Sequence, residues 1–152
     1  IKSNRFNIHN SKKYKSKIVL PYEIYNKKKI LEKIDYLFHK KSRFLDRPSI
    51  AAHPVGMKNK KYNEFVKKIE LIINKYENSF SKNHKNKNYS IVIGSTSTVL
   101  ECVEYKFKVF HVMQEPPLEC LEKYFWPNID FKIIDDHIFT YSTKKYKNFI
   151  NY

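Results

Sequence analysis

The chain is poor in glycine, cysteine and tryptophan: 152 residues hold two, two and one of them. With so little glycine, few backbone positions take a positive φ cheaply, and each glycine marks a place to look. Cys102 and Cys120 form no CxxC pair and no metal-ligand spacing. They are expected to be free thiols in a reducing compartment, with no disulfide framework and no metal site. No apolar run reaches the roughly 18 residues of a membrane-spanning helix. The sequence has no GxxxxGK loop and no GxGxxG turn, which disfavours nucleoside triphosphatases and the common dinucleotide binders. No signal peptide is visible, and the first residue is Ile rather than Met, so the chain reads as a piece of a longer, cytoplasmic protein.

Positive charge is abundant. Lys and Arg number 30 against 15 Asp and Glu, a formal net charge of +15. Such an excess suits nucleic acid or an anionic membrane surface. Here the lysines are spread over most of the chain and rise together with Asn, Ile and Tyr, the usage of an AT-rich coding sequence. The charge is therefore read as attraction to phosphate-bearing ligands and as peripheral contact with acidic lipid at the inner membrane face. A dedicated nucleic-acid module is the less favoured reading. Hydrophobic residues make up 41% and aromatics 16%, enough for one domain with a core.

Residues 1–17 read as a flexible basic lead-in or linker, 18–140 as the folded domain and 141–152 as a basic tail. Short apolar runs predict strands at 18–20, 49–52, 91–93, 109–113 and 131–134. Ile30, Leu31, Ile34, Leu37 and Phe38 fall at helical spacing and predict a helix over 26–40. Tyr62, Phe65, Val66, Ile69, Ile72, Ile73 and Tyr76 predict a second over 62–76. Further helices are expected at 98–107 and 118–124. Strands alternating with helices imply βαβ units, hence an α/β, Rossmann-like, three-layer fold with a mostly parallel sheet.

In such sheets ligands bind beyond the carboxyl ends of the strands. Two strand ends carry distinctive residues. After 49–52 comes His53-Pro54, an imidazole able to donate to a phosphate oxygen, with Pro54 fixing the backbone beside it. A loop histidine without a ligand remains the alternative. After 91–93 comes Gly94-Ser95-Thr96-Ser97-Thr98, leading into a helix. There the free amides of a helix start, its positive dipole end and several hydroxyls converge on one spot suited to a phosphate or carboxylate. A helix cap with surplus hydroxyls is the alternative. Glu101, one turn in, either reaches a ribose hydroxyl or faces solvent, and solvent is preferred.

A His-Pro after a strand, followed by the strand–turn–helix–strand stretch IVIGSTSTVLECVEYKFKVFHV, resembles the carboxy-terminal, nucleotide-sugar-binding domain of GT-B glycosyltransferases. The resemblance covers roughly 18–139. Its sub-pattern is similar to bacterial sialyltransferases, polysialyltransferases and related capsule and lipopolysaccharide enzymes, which carry an HP motif and a short Ser/Thr motif. The resemblance implies half of a GT-B architecture and an inverting transfer of a sugar from a nucleotide-sugar donor, CMP- or UDP-linked, to a surface glycan acceptor. It implies that His53 contacts the donor phosphate and assists its departure. It also implies that Pro54 and the turn from Gly94 to Thr98 bind the phosphate or the sugar carboxylate, without a metal or other cofactor. The family's acidic-Gly motif, source of its general base, is missing here, so this chain is expected to bind donor better than it transfers sugar. An epimerase or glycerol-phosphate transferase on the same scaffold, a nucleic-acid-binding module and a non-catalytic interaction domain are the rival readings.

The remaining candidates are read as structural. His111, inside an apolar strand, is expected to be a hydrogen-bonded core residue. Asp135-Asp136-His137 is read as a polar turn rather than a metal site. Tyr124, Phe125 and Trp126 are read as packing a helix end, with stacking on a base as the alternative. His9, His39 and His84 sit in basic polar surroundings and indicate nothing.

Overall fold

The computed structural model of the chain describes residues 16–82, 89–94, 98–104, 107–114 and 129–143. In chain order the elements are β1 (Lys17–Val19), α1 (Lys27–Lys41), β2 (Ser49–Ala51), α2 (Lys60–Lys75), β3 (Tyr89–Ile93), α3 (Thr98–Glu104), β4 (Lys108–Val112), β5 (Ile129–Asp135) and β6 (Ile138–Thr143). They make one six-stranded sheet in the order β2-β1-β3-β4-β6-β5. β1 pairs in parallel with both β2 and β3, and β3 in parallel with β4. β6 pairs antiparallel with both β4 and β5, so it alone runs against the other strands.

Both long helices form because their apolar residues repeat every three or four positions and leave a polar face outside. Ile30, Ile34, Leu37 and Phe38 of α1 and Phe65, Ile69 and Ile73 of α2 share one buried cluster with Ile18, Ile91, Ile93 and Phe110 of the sheet. The second cluster joins Cys102 and Val103 of α3 to Val92, Val109, Phe139 and Tyr141. Ile91 and Ile93 turn to the first and Val92 to the second, as the period-two alternation of a strand requires. Burial of β3 along its whole length follows, and it explains why residues 91–93 read as an unbroken apolar run.

One expected feature is corrected. The strand at 131–134 does not close a βαβ unit with a strand on each side parallel to it. It belongs to an antiparallel hairpin whose second arm, β6, reaches Thr143, past the expected domain end at 140. The hairpin closes because Asp135 Oδ1 accepts the backbone N–H of His137 at 2.9 Å, a side chain standing in for a backbone turn bond. The expected helix at 118–124, the lead-in up to residue 15, and Cys120, Tyr124, Phe125, Trp126, His9 and His84 lie outside the described residues. Among the described residues no helix is long and apolar enough to cross a membrane.

Candidate functional site

β1 lies between β2 and β3, and Val19 is in register with Ala51 on one side and Val92 on the other. All three strands point the same way, so their carboxyl ends share one rim. His53 follows β2 and Gly94 follows β3 on that rim, one strand apart. Two strand spacings make that separation on the order of 10 Å. From β1 the chain goes first to the neighbour on one side and later to the neighbour on the other, which opens a crevice at the reversal. A cavity of about 630 Å³ occupies this place, lined by His53, Pro54, Thr98, Gln114 and the loop after β1 with Tyr22, Glu23 and Tyr25. That volume is within the usual range for small-molecule sites.

His53 is held at both ends. Its backbone N–H donates to Tyr62 Oη at 3.0 Å, and Tyr62 Oη donates to the Pro21 carbonyl at 2.9 Å. Its Nδ1 accepts the N–H of Val55 at 3.3 Å. Nδ1 is thereby assigned as acceptor, and the neutral ring carries its proton on Nε2. No described residue accepts that proton. The Tyr22 ring meets the imidazole edge-on, with centroids 5.6 Å apart. Pro54 is exposed beside it and lines the crevice.

Gly94 has φ +70°, the left-handed region that L side chains seldom adopt. Its N–H donates to the Val112 carbonyl at 2.8 Å, and its carbonyl accepts from His111 Nε2 at 2.7 Å. A Cβ at this position would stand 2.9 Å from Gln114 Nε2. The backbone therefore leaves β3 turned sharply and pressed against Gln114. Ser95, Thr96 and Ser97 lie outside the described residues. Thr98 starts α3 and lines the crevice; Glu101 is exposed and does not line it.

No protein family, curated protein or solved structure gives a match to the chain.

Sequence reasoning placed the start of α1 within one residue but gave it no functional role. Asn26 precedes this helix but makes no side-chain cap; its Nδ2 donates instead to the Gln114 carbonyl at 3.3 Å. The contrast is α2, where Asn59 Oδ1 accepts the N–H of Lys61 and of Tyr62. Gln114 Oε1 in turn accepts the N–H of Tyr25 at 3.0 Å and of Asn26 at 3.5 Å, so a buried amide after β4 fixes the loop after β1. The result is a 15-residue helix whose amino end follows the crevice-lining Tyr25 and has no side-chain cap. Its dipole favours an anion there. No local signal marks this, since the partner of Asn26 lies 88 residues away.

The other candidates behave as structural residues. His111 is buried, with Nε2 on the Gly94 carbonyl and Nδ1 3.2 Å from Tyr141 Oη. Burial pushes its pKa down, so it stays neutral. The donor atoms of Asp135, Asp136 and His137 lie within 4.8 Å of one another, a spacing that suits a metal. The Lys33 ammonium fills that place, bonding Asp135 and, at 2.6 Å, Asp136. His137 Nδ1 lies 3.0 Å from Asp136 Oδ1 without the alignment of a hydrogen bond. The cluster is a clasp between α1 and the β5–β6 hairpin. His39 is exposed on α1.

Proposed function

We propose that this chain is the donor-binding half of a nucleotide-sugar-dependent glycosyltransferase, a three-layer, Rossmann-like unit of a GT-B enzyme. The observation that carries the reading is the crevice at the strand-order reversal. It brings His53-Pro54, the loop after β1 and the start of α3 together.

The chemistry follows from those parts. Departure of a nucleotide phosphate from an anomeric carbon builds negative charge on the phosphate oxygens. Fixed amide dipoles and an imidazole N–H stabilise that charge without reorganising. His53 suits this role because Val55 engages Nδ1 and leaves the Nε2 proton to donate. Gly94 and the hydroxyls from Ser95 to Thr98 serve the second anionic group, either another phosphate or a sugar carboxylate. Glu23 lines the same crevice and suits ribose or sugar hydroxyls. Tyr22 and Tyr25 offer ring faces to a base or sugar. With donor oriented in this way, an acceptor hydroxyl attacks from the far side and inverts the carbon. No carboxylate for that deprotonation is assigned in this chain. The acceptor is proposed to be a surface glycan.

The test is calorimetric titration of the chain with CMP, UDP and CDP-glycerol. The reading predicts binding of CMP or UDP, weakened at least about tenfold in His53→Ala, the loss expected from one charge-assisted hydrogen bond. Preference for CDP-glycerol would favour the glycerol-phosphate transferase. Absence of binding to any of the three would remove the proposal.

A further inference from the structure

A second groove, of about 700 Å³, lies between α1 and α2, lined by Lys27, Lys28 and Leu31 from one helix and Lys61, Phe65 and Lys68 from the other. Glu32 and Glu64 are its acids, so four lysines face two glutamates. Among the described residues none of these four ammonium groups makes an ion pair, although both glutamates line the same groove. Neither helix has an acidic residue in its first turn, where the dipole favours one. Both instead begin with lysines, which the dipole repels. Each feature disfavours the isolated chain, and an external anion relieves all of them together.

The nature of the anion follows from the apolar residues beside these charges. Positions 61, 64 and 68 step along one face of α2 to Leu71, which is 68% exposed. Positions 28 and 32 step along α1 to the exposed Tyr36. A soluble polyanion makes no use of a leucine set in the path of its lysines. A lipid interface uses both: aliphatic and tyrosyl side chains enter the boundary between headgroups and acyl chains, and lysines meet the headgroup phosphates.

We propose that the α1–α2 face docks on an anionic phospholipid surface, with Lys27, Lys28, Lys61 and Lys68 against headgroup phosphates and Leu71 and Tyr36 at the acyl boundary. This contact is independent of the donor reading, and either can fail without the other.

Co-sedimentation of the full chain with two vesicle populations tests it, one of phosphatidylcholine alone and one of equal parts phosphatidylcholine and phosphatidylglycerol. The expected result is a preference of at least about tenfold for the anionic vesicles, falling as salt is raised. Reversing the four lysines to glutamate lowers that binding by about 100-fold or more, and Leu71→Ser lowers it several-fold with unchanged circular dichroism. Should the fourfold variant not fold, Lys61→Gln with Lys68→Gln gives the same readout at a smaller loss. Equal binding to both vesicle types, binding unaffected by these substitutions, or equally tight binding to soluble polyphosphate would overturn the proposal.

Discussion

Tyr62 Oη and the backbone N–H of His53 stand 3.0 Å apart, and through that bond a helix residue sets the position of the candidate phosphate ligand. The same oxygen donates to the Pro21 carbonyl, so one phenol joins the loops after β1 and β2. Burial raises the pKa of this hydroxyl, which keeps it a donor at neutral pH. Gly56 lets the ring lie there: a Cβ at that residue would be 2.6 Å from Tyr62 Cε2.

Tyr62→Phe keeps the ring and removes the oxygen. A half-buried amide and carbonyl then lose their partner, at a cost of about 1–2 kcal/mol. Urea denaturation measures that loss. The same variant should weaken nucleotide binding while leaving the helical circular dichroism unchanged. Stability and affinity both equal to wild type would show that the phenol positions nothing.

Gly94→Ala combines two penalties. Alanine at a φ of +70° costs roughly 1–2 kcal/mol, and its Cβ displaces the Gln114 amide. That displacement reaches the loop after β1, because Gln114 Oε1 holds the N–H groups of Tyr25 and Asn26. The variant should unfold at lower denaturant, and hydrogen exchange at Tyr25 and Asn26 should accelerate. Gln114→Ala should produce the exchange effect without the φ penalty. Unchanged exchange at both amides in both variants would contradict the link.

Stability should depend on pH through His111. Burial depresses its pKa below the ordinary 6.5, so the folded chain keeps the ring neutral while the unfolded chain takes up a proton near that value. Below pH 6.5 the unfolded state binds more protons, and stability falls as pH drops until the depressed folded value is reached. Above 6.5 this contribution is fully present. Denaturation midpoints between pH 5 and 8 measure it, and His111→Gln should flatten the profile in that window. An equally steep profile in the variant would assign the effect to another group.

Much of this architecture was legible in the sequence, for a physical reason. The faces of α1 and α2 repeat with helical period because each buries one stripe, and residues 91–93 of β3 are apolar without a break because both sides of the strand are covered. β6 was not legible. Residues from 141 onward read as a basic tail, yet Tyr141, two residues after Phe139, joins it in the core. The site was legible in part. His53 and Gly94 stand out because strand ends with special backbone or side-chain chemistry are visible locally. Gln114, the uncapped start of α1 and the Tyr62 hydroxyl were hidden, since their partners are distant in the chain or, for Tyr62, the ring already had a place on the apolar helix face. The Lys33 clasp was hidden likewise, as Asp135 and Asp136 are neighbours in sequence and their cation comes from α1.

The central claim is that His53 and the start of α3 grip one anionic ligand across β1. Nuclear magnetic resonance of the labelled chain during titration with CMP, and separately with UDP, tests it directly. The account predicts that one of the two nucleotides shifts the His53 imidazole, the Gly94 and Thr98 amides and the Tyr22 ring along a single binding curve. Shifts confined to the α1–α2 lysines, or His53 and Thr98 responding with different affinities, would contradict it.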